Sequence, residues 1–327
     1  MRVLVTGGTG FLGYRLIEKL NKNQSIDEVI ASGRKIKPSH FVESAKVKYV
    51  IGELSDKTFV QELTKNIDVV INCAAFSSPW GSKLKFKEAN IVTQDNLIKA
   101  CLFHKVKQFI FISTPSVYFD FENKLNISEE DPLPKKFINN YASSKFEAEE
   151  LLRSSNIPHV IFRPRALIGR GDHVIMPRLI NAYDKNKLKI IGDGENLVDL
   201  TPVSNVVDAI ILSINNEAAL NQTFNLSNGK PEKLWDKIND VLKKLDRNRI
   251  EKKIPFAIAF SVVSMLEFVS KTFRLKEPVT TAYSVGVLSK SFSLNIDKAT
   301  QILKYQPKQT ADEAIDEFVT WYKKNKL

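Results

Sequence analysis

The sequence predicts an α/β fold, a doubly wound parallel sheet carrying a smaller, mostly helical C-terminal lobe. Three observations predict it. Short apolar runs alternate with amphipathic segments through the first half of the chain. Those runs have no polar face, as in strands buried between two layers of helices. After Arg163-Pro164 the alternation breaks and helical patterns dominate.

In chain order, strand-like runs cover 3–5, 28–31, 47–51, 68–73, 109–112 and 160–162. Between the first two, residues 11–20 place Leu12, Leu16 and Leu20 on one helical face, and residues 89–103 repeat that periodicity further on. Beyond the break, helices are expected over 174–185, 203–214, 233–245, 255–273 and 311–323, with a strand at 223–226. At ~150 residues per domain the chain has room for two units. Residues 1–165 form the expected nucleotide-binding domain, with 200–228 returning to it. Residues 166–199 and 229–327 form the expected substrate lobe.

Composition narrows the class. Hydrophobic residues at 43% and charged residues at 26% fit a globular enzyme and exclude a disordered or fibrous chain. The excess of 48 basic over 37 acidic residues gives +11, yet basic and acidic side chains alternate, as in Glu18-Lys19 and Asp56-Lys57. That is a solvated surface, and no nucleic-acid partner is expected. Cys73 and Cys101 lie in apolar stretches and read as reduced, buried thiols of a cytoplasmic protein. His40, His104, His159 and His173 lack metal-ligand spacing, so no metal is expected. The apolar start runs directly into glycines, so no leader peptide is expected. The longest uncharged run, 254–266, is shorter than the ~20 residues a bilayer crossing needs.

Chemistry is concentrated in three places. The first strand runs into Gly7-Gly8-Thr9-Gly10-Phe11-Leu12-Gly13, a Gly-x-x-Gly-x-x-Gly loop opening a helix. Gly7 permits the sharp turn, Gly10 permits close approach of backbone N–H groups to a pyrophosphate, and Gly13 permits helix to pack on strand. The helix start at Phe11 and Leu12 then faces the phosphate charge. The second strand ends Ala31-Ser32-Gly33-Arg34-Lys35, with Lys37 close behind. An NAD(H) site would place a carboxylate there. Arg34 and Lys35 instead suit a ribose 2′-phosphate, so NADP(H) is preferred. Finally, Tyr141 and Lys145 lie one helical turn apart. An ammonium at that spacing is expected to lower the phenol from its ordinary ~10. Thr114, just past the fifth strand, lies at the sheet edge where such folds bind ligands.

Taken together these motifs resemble the extended short-chain dehydrogenase/reductases, enzymes with a Rossmann fold, over essentially the whole chain. Within that superfamily the sequence is similar to the hydroxysteroid-dehydrogenase-like branch, and there to bacterial 2-alkyl-3-oxoalkanoate reductases. Ser113-Thr114-Pro115-Ser116-Val117, Arg163-Pro164, Gly169-Arg170-Gly171-Asp172 and 191–199 carry the resemblance, as does Trp80-Gly81. It implies a catalytic triad of Thr114, Tyr141 and Lys145. It implies cofactor contacts from Glu53, Leu54, Ala74, Ala75 and Pro164, and substrate contacts from Trp80 and Ser116. It also implies a homodimer. Glu53 stands where the family usually has aspartate, Thr93-Gln94 replace a usual Gly-Thr, and Arg170 replaces a common proline.

The expected activity is NADPH-dependent interconversion of a lipophilic ketone and its alcohol. The apolar segment 256–266, with Phe268 and Val269, reads as lobe core, as the roof of a hydrophobic pocket, or as a helix in peripheral contact with membrane lipid. Two other readings compete. A sugar-nucleotide epimerase or dehydratase would retain NAD, and a dehydratase would follow Thr114 with acids rather than Pro115-Ser116. A non-catalytic NADPH sensor would lack Tyr141 or Lys145, and both are present.

Overall fold

The computed structural model describes residues 1–273, 278 and 280–325. Seven parallel strands form the central sheet: β1 (Arg2–Thr6), β2 (Glu28–Gly33), β3 (Val47–Ile51), β4 (Val69–Asn72), β5 (Gln108–Ile112), β6 (His159–Pro164) and β7 (Gln222–Leu226). Their order is β7-β6-β5-β4-β1-β2-β3. Register pairs Val5 with both Ala31 and Ile71, Ile71 with Ile110, Ile110 with Val160, and Pro164 with Leu226. This alignment brings Thr6, Asn72, Ile112 and Pro164 to one edge of the sheet. The order reverses between β1 and β4, where open sheets of this kind form their ligand crevice.

Two helical layers cover the sheet. Leu16, Ile17 and Leu20 of α1 (Phe11–Asn21) share one core with Val206, Val207 and Ile210 from the 203–213 helix. On the opposite face pack α2 (Lys57–Leu63), α3 (Thr93–Phe103) and α4 (Asn140–Arg153), through Val60, Leu97, Ala148 and Leu152. The sequence pattern missed α2, whose seven residues span fewer than two turns. Its start is set by Asp56, which accepts from the backbone N–H of Thr58 at 2.8 Å and of Phe59 at 3.2 Å. Cys101 is buried in this layer, and Cys73 is half-buried.

The lobe has a core of its own around Trp235, Ile238 and Leu242 on one side and Ile315 and Phe318 on the other. Trp235 donates its indole N–H to the Leu288 carbonyl at 3.0 Å. Short strands at Lys124–Ile127, Leu197–Val198, Glu232–Lys233 and Phe292–Leu294 join into a second sheet. The Phe256–Thr272 helix is two-faced. Phe256, Ala259, Phe260 and Val263 pack on the lobe core. Ile258, Val262, Met265, Leu266 and Phe268 are 48–70% exposed. The core-facing positions recur at helical spacing, so one face of the helix is lobe core and the opposite face is apolar and exposed. Among the described residues no helix is long and apolar enough to cross a membrane.

Candidate active site

The glycine loop sits at the strand reversal. Gly7 has φ +66, and a Cβ there would stand 2.7 Å from the Ala74 nitrogen. A Cβ on Gly13 would stand 2.3 Å from the Gly7 carbonyl oxygen. Gly13 therefore lets α1 approach the backbone of Gly7 and Gly8, which directly continues β1. Gly10 donates its N–H to the Gly7 carbonyl at 2.9 Å and precedes an α1 first turn with no side-chain cap and no acidic residue. That first turn, Phe11 and Leu12 included, keeps the positive end of the helix available to an anion.

Buried amides hold these loops; the sequence singled out Asn90 and Gln94 only as part of a family-like helix, and Asn72 and Asn96 not at all. Asn72 accepts from Thr6 Oγ1 at 2.6 Å and from the Ala74 N–H at 3.0 Å, and donates to Gln94 Oε1 at 2.6 Å. Asn90 accepts from the Phe76 N–H at 2.7 Å and donates to Ser144 Oγ at 2.9 Å, tying the loop after β4 to α4. Asn96 donates to the carbonyls of Leu54 and Ser55, each at 3.1 Å. For Asn72 the available signal was an asparagine inside an otherwise apolar run, since such a group must find partners when buried; Asn90 and Asn96 stand among polar residues and carry no such mark. Of the residues these loops carry, Ala74 and Leu54 are half-buried, while Ala75 and Glu53 are exposed.

At the end of β2, Gly33 lies against Thr9, where a Cβ would be 2.5 Å from Oγ1. Arg34 and Lys35 project to solvent, Lys37 is half-buried, and none of the three makes an ion pair among the described residues. Burial first, then the neighbouring Lys35 and Arg34 charges, lower the Lys37 pKa. Buried His40 sits behind them against the Thr9 carbonyl at 3.2 Å, and burial pulls its pKa down to about 4.

The catalytic candidates meet at the carboxyl edge. Asn139 caps α4 by accepting from the Ala142 N–H at 2.9 Å, which places Tyr141 in the first turn. Asn140 donates to the Gly81 carbonyl at 3.2 Å, bringing the half-buried Trp80 segment alongside. Thr114 leads into a short turn begun by Pro115. Its hydroxyl donates to Ser116 Oγ at 3.0 Å and accepts from the Ser116 N–H at 3.2 Å. Ser116 in turn shares a 2.8 Å hydrogen bond with Tyr283 of the lobe, a residue the sequence reading missed.

Electrostatics at the phenol differ from expectation. Burial raises the Tyr141 pKa, while the hydroxyls of Ser77 and Thr114 act to lower it. Lys145 does not supply the expected lowering. Its ammonium donates to the Ile112 carbonyl at 2.7 Å and lies 3.9 Å from the centre of the Phe111 ring. Burial brings its own pKa down to about 7. The reason is packing, because the i+4 position on α4 aims the lysine at β5. Beneath it lies a buried network in which Arg163 grips Glu149, donating Nε–H to Oε1 at 3.0 Å. Glu149 also accepts from Ser113, and Arg163 donates to the Tyr118 hydroxyl. Pro164 follows Arg163 and is buried at the sheet edge.

A glycine loop at the strand reversal, with a threonine, a tyrosine and a lysine at the carboxyl edge, matches a known family. The profile of the NAD dependent epimerase/dehydratase family fits residues 3–227. The chain belongs to this family. It is an oxidoreductase of CH–OH groups, with named relatives among reductases and dehydrogenases. A 2-alkyl-3-oxoalkanoate reductase from Stenotrophomonas maltophilia is 29% identical, over 96% of this chain and 97% of its own length. The 3beta-hydroxysteroid-dehydrogenase/decarboxylase isoform 1 of Arabidopsis thaliana is 31% identical, over 95% of this chain and 77% of its own. Among solved structures, the UDP-glucuronic acid 4-epimerase of Bacillus cereus in complex with NAD shares the epimerase/dehydratase fold. Its TM-score is 0.78 at 22% identity, covering 99% of both chains.

Proposed function

We propose that the chain is an NADPH-dependent reductase that interconverts a lipophilic ketone and its secondary alcohol. One observation carries the substrate class. A run of ring contacts leads from Tyr283, beside Ser116, to Phe119 at 5.9 Å, Phe121 at 5.7 Å, Phe260 at 4.9 Å and Phe256 at 5.3 Å. The rings pack on one another, so the track is an apolar wall beside Ser116, and an alkyl or ring-fused substrate laid along it gains ~0.8 kcal/mol per buried methylene. A nucleoside diphosphate would instead need several cations there.

The residues present fit the dinucleotide. The uncapped start of α1 suits a pyrophosphate, and the cations Arg34, Lys35 and Lys37, free of carboxylate partners among the described residues, suit a 2′-phosphate. When bound, NADPH supplies the hydride. Tyr141 donates the proton to the carbonyl oxygen, and Thr114, its hydroxyl aimed by the Pro115 turn, holds that oxygen in place. Lys145 is assigned to the ribose hydroxyls. We place the substrate lobe at 166–199 and 229–327.

The test is a chain-length series of 3-oxo acids with NADPH, alongside a titration with UDP-glucose. The expected result is kcat/KM rising with chain length until the track is filled, with no binding of the sugar nucleotide. A flat series together with micromolar UDP-glucose binding would overturn the reductase in favour of the epimerase.

A further inference from the structure

The segment after β2 is pinned to the glycine loop at both ends. Gly33 lies against Thr9 at one end, and His40 Nδ1 stands 3.2 Å from the Thr9 carbonyl at the other. A short turn that begins at Pro38 is closed by the His40 N–H, which donates to the Lys37 carbonyl at 2.9 Å. Lys37 therefore stands with Arg34 and Lys35 just past the end of β2, where folds of this kind place the adenosine ribose.

A second loop, 169–173, crosses over the same place. Arg170 anchors it to α1, donating to the Tyr14 hydroxyl at 2.8 Å and to Glu18 at 2.6 Å. Gly171 has φ +92, and a Cβ there would stand 3.4 Å from His40 Nε2 and 3.5 Å from the Phe11 ring. The His173 ring centre is 5.0 Å from that of His40, and its Nε2 is 3.2 Å from Lys37 Nζ. An ammonium has no acceptor, so Lys37 donates. The other ring nitrogen, Nδ1, lies 3.1 Å from the Gly171 carbonyl, which can only accept. Together the two contacts select the neutral tautomer with its proton on Nδ1 and its lone pair on Lys37.

A neutral imidazole holds the ammonium without cancelling its charge. Lys37 keeps two further N–H donors, and no carboxylate pairs with Lys37, Arg34 or Lys35 among the described residues. A carboxylate at position 173 would also grip Lys37, but it would spend the cation and repel a phosphate. We propose that His173 is a positioning residue for cofactor choice, holding Lys37 so that it reads the ribose 2′-phosphate together with Arg34 and Lys35. This rests on the NADPH reading above and goes beyond it. Part of the discrimination is assigned to a loop 136 positions away in the chain, docked on α1 by Arg170.

The test is the Kd of NADPH and of NADH, each read by cofactor fluorescence. The proteins are the wild type, Lys37→Met, His173→Ala, His173→Gln, His173→Glu and the Lys37→Met/His173→Ala double variant. His173 is exposed, so its replacements leave the core untouched. His173→Ala should weaken NADPH by about tenfold and leave NADH unchanged, the scale of one charge-assisted contact. His173→Gln offers a neutral acceptor and should stay within about threefold of the wild type, whereas His173→Glu should lose at least as much as alanine. In the Lys37→Met background, His173→Ala should add less than about twofold, because the group it positions is gone. An unmoved NADPH-to-NADH ratio in His173→Ala, equal losses on both cofactors, or losses that multiply in the double variant would overturn the proposal alone. A wild type that binds NADPH no tighter than NADH would overturn the NADPH reading itself, and the role of His173 with it.

Discussion

The pair Glu149–Arg163 offers a stringent test of how the catalytic edge is held. Glu149 is 0% exposed and Arg163 3% exposed. The carboxylate serves Arg163, Ser113 and Arg153 at once. Replacing Glu149 with glutamine leaves the Arg163 charge buried without its counter-charge, at a cost of about 3–5 kcal/mol. At ~2.1 cal/mol/K of unfolding entropy per residue, a chain of 327 residues loses about 4–7 °C of Tm. Differential scanning calorimetry of Glu149→Gln, Arg163→Met and the double variant measures this. The double variant should be no less stable than Glu149→Gln alone, a coupling of ~2 kcal/mol or more. The arginine and its neighbours hold the Glu149 pKa below the ordinary carboxylate range, against the opposing effect of burial. A carboxylate with a depressed native pKa stabilises the fold above its unfolded value of ~4.3 and loses that contribution as pH falls through the native value. The Tm gap between wild type and Glu149→Gln should therefore stay constant from about pH 8 to 5 and narrow below about 4. A single-variant shift under about 1 °C, or losses that simply add in the double variant, would refute a buried pair that matters.

Two further predictions concern the site. Tyr141→Phe should lower kcat by ~100-fold or more while leaving the NADPH Kd, read by cofactor fluorescence, almost unchanged. A variant within tenfold of wild-type kcat, ~1.4 kcal/mol of barrier, would point to another acid. Arg34→Ala should raise KM for NADPH by about tenfold or more and leave that for NADH little altered, and equal effects on both cofactors would show that the loop does not read the phosphate.

Strand runs such as Val69–Asn72 were legible because both their faces are buried, which leaves a continuous apolar signature. The glycine loop was legible because backbone contact excludes any Cβ at Gly7 and Gly13. Other features depend on tertiary contact and leave little local trace. Asn90 becomes a tether only because Ser144 and the Phe76 backbone arrive from distant segments. Tyr283 reaches Ser116 across 167 positions of chain. The spacing of Tyr141 and Lys145 was readable, but their electrostatics were not. A phenol beside an ammonium titrates low only if water or geometry permits it, and here burial and the Ile112 carbonyl decide the outcome.

The seventh strand has a consequence for synthesis. β7 covers the fully buried β6, yet it follows β6 only after roughly 60 residues of intervening chain. At about 5–20 residues per second, a nascent chain presents the β6 backbone edge unpaired for roughly 3–12 s. An edge rich in Val160, Ile161 and Phe162 is a template for mispairing during that interval. The delay falls within the reach of chaperones that shield exposed strands on the ribosome. Codons that slow elongation between positions 165 and 221 should lower the soluble yield more than the same codons placed after position 227.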